Sequence, residues 1–377
     1  MKKHLFIIAA MASVIGTVIG GFLFSLQYLI GIFQAYPNLI FLLPLAAVVE
    51  VGSELRWQLM RPRFSAAWVL IATLWSHLFG ASVGRESTAV HIGSSIGRQL
   101  SLLSRNPKQW EPLYVTSGVA AGFAAAFGVP LTGTIFGFER QASHLKPRSF
   151  PFPFPLPLPL PFLFIVLLAA LIADQTSRWL GIIHIHYPQV AWSSFSWSNY
   201  LLLFSVLLFF SLGYELLHLK VARHLTSVHW LAKTLAGSLI MVLITVFVRD
   251  LRWNNLGAEF LTSSFTQANT WIDFLGKLGM TFISSIAGLR GGEITPLMAS
   301  GAILGSKLGA LIGSNREIFV ALSLTSFIAV RLRAPLTCTL MVWEIFGWKI
   351  ALLAIPNHAA QWVFLKYATN WKLQTLS

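Results

Sequence analysis

Two stretches of similar sequence decide the fold: residues 84–97 read GRESTAVHIGSSIG, and residues 292–305 read GEITPLMASGAILG. Each begins with a glycine and has further glycines nine and thirteen residues later. The second stretch follows the first by 208 residues. Because a glycine precedes an apolar run in both, each predicts the start of a helix, with Glu86 or Glu293 in or near its first turn.

A second pair of stretches repeats in the same order. Residues 130–139 read PLTGTIFGFE, and residues 335–344, which begin 205 residues later, read PLTCTLMVWE. Two pairs in register indicate an internal duplication. We therefore predict a first repeat at 1–148 and a second at 163–377, which together form one domain over 1–377.

The composition indicates a membrane protein. Of the 377 residues, 55% are hydrophobic and 11% are charged, against roughly 25% charged in a soluble domain. One crossing needs about 20 apolar residues, so the apolar content suffices for roughly ten crossings. A water-soluble enzyme is excluded. The apolar run behind Lys2 and Lys3 resembles a secretory signal, but further apolar segments favour an uncleaved first helix.

Duplicated halves of membrane transporters usually have opposite orientations around a site near the bilayer midplane, and that site is built from broken helices. Breaks are predicted at Gly84, Gly128–Pro130, Gly291–Gly292 and Ala334–Pro335. The N-termini behind such breaks attract anions. The predicted fold is thus an all-α polytopic membrane protein with two inverted-topology repeats, whose broken helices point at a central anion site.

Between the repeats, residues 149–162 carry proline at every second position from Pro151 to Pro161. Alternating proline removes the donors that a helix or sheet needs, so this segment is predicted to be an extended connector and a passive tether. A docking site for an SH3-type domain is the alternative, which the lack of basic flanks at a defined spacing disfavours.

Acidic residues in apolar segments are candidates for function, because their burial is costly. Glu86 and Glu293 either gate an anion site and exchange protons or cap their own helices. Glu139 and Glu344 are predicted to pair with basic neighbours, Arg140 and Lys349, at the interface. The remaining acids near segment ends are also interpreted as interfacial: Glu50, Glu54, Glu111, Glu215 and Glu317.

The remaining polar residues of interest are the basic residues and the histidines. A net charge of +14 indicates that the protein binds either nucleic acid or the headgroups of cytoplasmic lipids. The basic residues lie in short connectors between apolar segments, which favours lipid headgroups and no nucleic acid. His184 and His186 would make a meagre metal site, so we predict no metal and no cofactor. His91 is predicted to be a buried, hydrogen-bonded imidazole, with a proton relay as the alternative.

Four segments together resemble the CLC chloride channels and transporters. GREST at 84–88 is similar to the family's GREGP or GREGT motif, and the segments GVPLTGTIFGFE at 128–139 and RAPLTCTLMVWEIFG at 333–347 are similar to its PLAG-type motifs. GGEITPLMASGAILG at 291–305 resembles the fluoride/proton antiporter branch, since chloride members carry GxFxP there. The resemblance covers nearly the whole chain and implies one transmembrane transport domain over 1–377 without a cytosolic regulatory domain.

This resemblance implies a gating role for Glu86, a central coupling role for Glu293 and a proton or anion ligand at Thr295. The predicted gating and proton-transfer residues are thus Glu86 and Glu293. The predicted anion-binding residues are Gly84, Arg85, Ser87, Thr88, Gly291, Gly292, Thr295 and Tyr367.

The sequence also departs from the family pattern. Ser87 replaces a glycine of the gating motif, and the first-half anion loop is not recognisable between Leu43 and Phe64. Tyr367 is the nearest candidate for the tyrosine that closes the anion site, with Trp371 as the other. Arg140 stands where chloride/proton exchangers carry their internal proton acceptor, so their ordinary proton route is absent.

These observations predict a transmembrane anion transporter, with fluoride/proton antiport as the main hypothesis. A chloride channel or a chloride/proton exchanger of the same family is the alternative. A membrane-embedded enzyme is disfavoured because HExxH, GxSxG and similar clusters are absent from the apolar segments. The resemblance further implies fluoride or chloride and protons as ligands, membrane lipids and a second copy in a homodimer as partners, and a multi-pass location in the cell inner membrane.

Overall fold

The chain is mostly α-helical in a computed structural model, which describes residues 2–60, 65–104, 106–144, 160–190, 196–313 and 315–374. It divides into two compact units. Unit 1 comprises Met1–Gly31, Glu54–Leu74 and Arg85–Ile185, and unit 2 comprises Ile32–Ser53, Trp75–Gly84 and His186–Ser377. The all-α prediction is confirmed.

The helices are, in chain order, α1 (Lys2–Ala35), α2 (Leu43–Met60), α3 (Ser65–Leu78), α4 (Glu86–Ser101), α5 (Pro107–Phe127), α6 (Pro130–His144), α7 (Leu160–Trp179), α8 (Trp197–His224), α9 (Trp230–Val248), α10 (Ala258–Thr266), α11 (Trp271–Ala287), α12 (Ile294–Ile312), α13 (Arg316–Leu324), α14 (Ser326–Leu332), α15 (Pro335–Phe346) and α16 (Trp348–Gln374). Short 3-10 turns lie at Pro37–Leu42 and Leu251–Trp253.

Within the described ranges, six helical segments are long and apolar enough to cross a membrane: His4–Ala35, Pro37–Arg56, Pro161–Trp179, Trp197–His224, Trp230–Val248 and Ile294–Ile312. This is fewer than the roughly ten crossings that the apolar content suggested. The difference arises because much of the apolar sequence is divided among short helices, such as α10 and α13 with 9 residues each. Half-length helices are the broken elements that the sequence predicted.

The four predicted helix breaks are all present. Helix α4 begins at Glu86, α6 at Pro130, α12 at Ile294 and α15 at Pro335. Proline suits the first turn of α6 and α15, because its missing N–H group has no intrahelical acceptor there. Helix α5, which precedes α6, ends at Phe127 and is capped by Gly128, whose φ of 77° favours glycine.

The two glycine motifs produce the same kind of helix contact, one in each unit. In unit 1, an added Cβ on Gly93 of α4 would collide with the carbonyl oxygen of Gly118 in α5. In unit 2, a Cβ on Gly301 of α12 would collide with the carbonyl oxygen of Ser323 in α13. Gly93 and Gly301 are equivalent positions of the two motifs, so each motif packs its helix backbone against the following helix.

The compact units do not coincide with the sequence repeats, since α7 from the predicted second repeat belongs to unit 1. The repeat boundaries therefore stay a prediction. Most of the predicted connector, residues 149–159, lies outside the described residues. The last three residues of the predicted connector, 160–162, lie in the first turn of α7. Pro161 is compatible with that first turn, where a helix needs no donor.

Candidate ion and proton site

In unit 2, the loop before α12 is shaped by glycine. Helix α11 is capped at its C-terminus by Gly288, which has a φ of 85°, and Gly291 has a φ of 133°. A Cβ on Gly291 would lie 2.7 Å from Cβ of Val83 and 2.8 Å from the carbonyl oxygen of Gly84. Because side chains rarely adopt that φ and the space is filled, position 291 requires glycine. The loop thereby places Glu293 directly before α12.

The opening glycines of the two motifs pair through their backbones. The N–H group of Gly292 donates to the carbonyl of Gly84 at 2.8 Å, and the N–H group of Gly84 donates to the carbonyl of Gly292. Both residues lie in unit 2. Their N–H groups, predicted as anion ligands, are thus bonded to each other in this structure, and the ligand role of Gly84, Gly291 and Gly292 stays a prediction.

Glu293 occupies the N-cap position of α12, but its side chain makes no capping hydrogen bond. Its carboxylate instead accepts hydrogen bonds from three side chains: Tyr214 Oη at 3.0 Å, Arg331 Nη2 at 2.9 Å, and Ser285 Oγ. A carboxylate accepts several such bonds at once. The capping alternative therefore does not describe Glu293.

Arg331 of α14 joins this carboxylate to a second acid. Its Nη1 atom lies 3.2 Å from Oε2 of Glu215, while its Nη2 atom bonds Glu293. The interfacial interpretation of Glu215 is wrong, because this residue is 2% exposed and is paired inside unit 2. Two carboxylates around one guanidinium leave the group with an excess negative charge unless a proton binds.

In unit 1, Glu86 is the first residue of α4 and is fully buried. Its Oε2 atom accepts a hydrogen bond of 3.0 Å from the backbone N–H group of Arg85. The Arg85 Nε atom lies 3.5 Å from Oε1 of Glu86, and Arg85 is itself buried. The helix N-terminus and this guanidinium both stabilise negative charge here, whether it belongs to a carboxylate or to an anion.

The other predicted ligands have different environments. Thr88 is buried, and its hydroxyl lies 2.6 Å from that of Thr73. Thr295 is buried in the first turn of α12, whereas Ser87 is exposed. Tyr367 lies on α16 with 70% of its surface exposed, so its closing role stays a prediction; the Trp371 side chain lies outside the described residues.

Unit 2 holds the segment before Glu86 through polar contacts that the sequence analysis missed. Lys277 of α11 is 0% exposed. Its ammonium group donates to four oxygens: Ser82 Oγ at 3.0 Å and the carbonyls of Trp253, Asn254 and Asn255 at 3.1, 3.4 and 2.7 Å. A lysine within the apolar run 271–289 was the available signal, because buried charge in such a run marks an important position.

Further contacts fix the same segment, residues 80–84, which we call the strap. Asn254 Nδ2 donates to the carbonyl of Gly80 at 2.8 Å. The Ser82 N–H group donates to Oγ of Ser284 at 3.0 Å, and the Ser82 hydroxyl lies 3.0 Å from that of Thr281. The strap is followed in the chain by Arg85 and Glu86.

Glu50 of α2 corrects a second prediction. It is 2% exposed, and its carboxylate accepts bonds from the Arg290 N–H group at 2.6 Å and from Ser76 Oγ at 2.8 Å. Its interfacial interpretation is wrong because it braces the loop before Glu293 within unit 2. Glu54 is also buried, which contradicts the same interpretation. Glu111 is partly exposed and pairs with Arg98 at 3.1 Å.

The remaining candidates lie on α4, on α6 and after α7. Glu139 is half-buried on α6, and the neighbouring Arg140 is exposed. His91 is half-buried on α4. In unit 1, Nε2 of His184 lies 3.4 Å from Oδ1 of Asp174, so this histidine has a carboxylate partner within the fold.

Comparison with known proteins decides the family. The sequence profile described as Voltage gated chloride channel matches residues 46–356. The chain belongs to the CLC family. It is a multi-pass membrane protein of a family that transports anions.

Three relatives illustrate the likeness. A chloride/fluoride channel protein of Pseudomonas syringae pv. tomato is 31% identical to this CLC chain over 390 residues, which cover 94% of the chain and 82% of the relative. The crystal structure of a CLC-type fluoride/proton antiporter aligns with a TM-score of 0.81 at 24% identity, covering 97% of this chain and 95% of the other. A slow cyanobacterial Cl⁻/H⁺ antiporter aligns with a TM-score of 0.74 at 17% identity, covering 97% and 94%. The two structures support the CLC fold.

Proposed function

We propose that this CLC chain exchanges fluoride for protons across a cell membrane, and that Glu86 gates the anion and Glu293 carries the proton. The observation that carries the proposal is Glu293: it stands at the start of α12, yet its carboxylate is held by Tyr214, Ser285 and Arg331 rather than by its own helix. A carboxylate with several hydroxyl and guanidinium partners at a helix start suits repeated gain and loss of a proton.

Three properties support fluoride as the anion. Fluoride is the conjugate base of a weak acid and a stronger hydrogen-bond acceptor than chloride, so a site that exchanges protons and offers hydroxyl donors suits it. The motif around Glu293 resembles that of fluoride/proton antiporters. The chain is also similar to a chloride/fluoride channel protein and to a fluoride/proton antiporter. Fluoride export would protect a cell in which HF enters and dissociates.

Exposed apolar side chains support a location in the membrane and assembly with a second copy. Large apolar side chains such as Phe24, Phe209 and Phe247 are between 68% and 81% exposed. Apolar surface of this kind requires lipid or a second copy of the chain, because contact with water would be costly. We place the protein as a homodimer in the inner membrane of a bacterial cell.

The antiport proposal is tested in liposomes that contain the purified protein. Fluoride and chloride efflux are measured with ion-selective electrodes, and proton movement with a pH-sensitive dye. We expect an outward fluoride gradient to drive protons inward against their own gradient, and chloride to do so at least about tenfold more slowly. Chloride efflux that is equally fast and moves no protons would favour the chloride channel instead.

Glu86→Gln is expected to abolish proton coupling. The amide has the shape of the protonated carboxyl but cannot ionise, so proton movement should fall by about 100-fold while the variant still reconstitutes. Glu111→Gln is the matched control, because Glu111 also belongs to unit 1 but is partly exposed and paired with Arg98. Proton movement at the original ratio to the anion in Glu86→Gln would remove the gating assignment.

A further inference from the structure

A histidine adjoins the Glu293 carboxylate in unit 2. His218 lies on α8 and is 7% exposed. Its Nε2 atom is 2.9 Å from Oγ of Ser285, and Ser285 in turn donates to Oε1 of Glu293. Nε2 itself is 3.9 Å from that carboxylate oxygen. The hydroxyl of Ser285 therefore bridges the imidazole and the carboxylate.

The direction of these hydrogen bonds follows from the acceptor at their end. A carboxylate oxygen accepts, so the single hydroxyl proton of Ser285 points at Glu293. The Ser285 oxygen then accepts from His218 at 2.9 Å, which places a proton on Nε2. The Arg331 Nη2 atom, which can only donate, is farther from Nε2, at 3.4 Å, and donates to Glu293 at 2.9 Å instead. The tautomer is assigned from this network. Nε2–H, the Ser285 hydroxyl and the carboxylate form a chain of donors in one direction.

The other ring nitrogen is available for a proton. Nδ1 of His218 is buried and has no hydrogen-bond partner among the residues that the structure describes. With Nε2 protonated, Nδ1 carries a free lone pair, which is what a proton acceptor requires. A buried polar atom without a partner is costly, so its retention needs an explanation.

We propose that His218 delivers the proton that Glu293 carries, through the hydroxyl of Ser285. Nδ1 takes up a proton and gives an imidazolium. The Nε2 proton then moves to Oγ of Ser285 as the hydroxyl proton of Ser285 moves to Oε1 of Glu293. The products are a neutral imidazole with its proton on Nδ1, an intact serine hydroxyl and a protonated Glu293, so atoms and charge balance. The proposal rests on the proton-coupled function above.

The charged groups around the imidazole favour a short-lived imidazolium. Arg331 of α14 places Nη2 at 3.4 Å from Nε2, which opposes a second positive charge, whereas Glu293 attracts it. The side chains of Tyr214 on α8 and Phe282 on α11 contact the ring, and both are uncharged there. Glu215 acts on the imidazole through its ion pair with Arg331. An imidazolium that is neither strongly stabilised nor prevented from forming can take up a proton and release it again.

The position of His218 also suits a route to the membrane surface. It lies six residues before the end of α8, and the last turns of this helix carry Lys220, Arg223 and His224. Basic residues of this kind lie beside cytoplasmic headgroups by the positive-inside rule. The relay would thus supply Glu293 from the cytoplasmic side.

The test compares His218→Gln with His224→Gln in liposomes that contain the full chain. Glutamine can still donate to Ser285 but cannot carry a proton, and His224 is an exposed histidine on the same helix. We expect proton movement per fluoride to fall by at least about tenfold in His218→Gln and to stay unchanged in His224→Gln. The residual rate in His218→Gln should lose its dependence on internal pH between about 5 and 8, where histidine titrates.

Ser285 supplies a second, independent variant. Ser285→Ala should lose proton movement, and Ser285→Thr, which keeps a hydroxyl, should retain it. A His218→Gln protein that couples as the wild type does would overturn the relay and leave antiport intact. A wild-type protein that moves fluoride without protons would overturn both the relay and the proposed function.

Discussion

Lys277→Met is expected to destabilise the protein strongly. Methionine fills a similar volume, but it provides no donor for Ser82 and for the carbonyls of residues 253–255. Because each buried acceptor left without a partner costs about 1–3 kcal/mol, we expect a loss of about 3 kcal/mol or more. The measurement is thermal unfolding in detergent, followed by intrinsic tryptophan fluorescence.

The matched control for this variant is Lys220→Met. Lys220 lies on α8 and is exposed, so the same chemical change there should leave the unfolding temperature nearly unchanged. Since Lys277 also holds the strap that leads to Glu86, anion flux should fall in any Lys277→Met protein that still folds. An unfolding temperature equal to that of the wild type would show that the other strap contacts suffice.

The helix breaks could be predicted from the sequence because their signals are local. Proline at residues 130 and 335 restricts the local backbone, and glycine at residues 84 and 291 permits conformations that other residues avoid. No distant contact is needed to interpret either signal. The spacing of the glycines in the two motifs was interpreted only as a sign of duplication, and their close packing against the following helix was found in the structure. These features determine where Glu86 and Glu293 lie along the chain.

The partners of Glu293 could not be predicted in the same way. Tyr214 is separated from it by 79 residues and Arg331 by 38, and no sequence period links positions on different helices. Glu50 and Glu215 were misinterpreted because each directly follows a stretch without charged residues, 4–49 and 179–214, and was therefore taken to mark the end of an apolar segment. In the structure both lie within helices, α2 and α8, and their side chains are buried by tertiary packing.

Lys277 could have been recognised from the sequence, but its partners could not. The sequence contained its signal, a lysine between apolar residues, but acids alone were weighed as candidates for buried charge. The four oxygens around its ammonium group come from the strap and from residues 253–255. A buried cation is retained only where such acceptors replace water, and this requirement predicts that acceptors exist without indicating where in the chain they lie.

Glu293→Gln is expected to reduce fluoride-driven proton movement by about 100-fold, because the amide cannot take up and release the proton. A loss of about 100-fold is at the lower end of what a positioned proton-transfer group contributes to an enzyme reaction. Glutamine keeps an oxygen that can accept from Tyr214 and Ser285, so the variant should fold. It loses the negative charge next to Arg331, which then pairs with Glu215 alone. The assay is proton uptake into liposomes under an outward fluoride gradient.

Two further variants separate coupling from a structural role. Glu317→Gln is the matched control, because Glu317 is also an acid in the first turn of a unit 2 helix, α13, and should couple normally. Glu293→Ser keeps a residue that can cap a helix but cannot exchange a proton at neutral pH. If Glu293 served only to start α12, serine would preserve transport. Retained fluoride-driven proton movement in a folded Glu293→Ser protein would therefore contradict the coupling role and favour a passive anion channel.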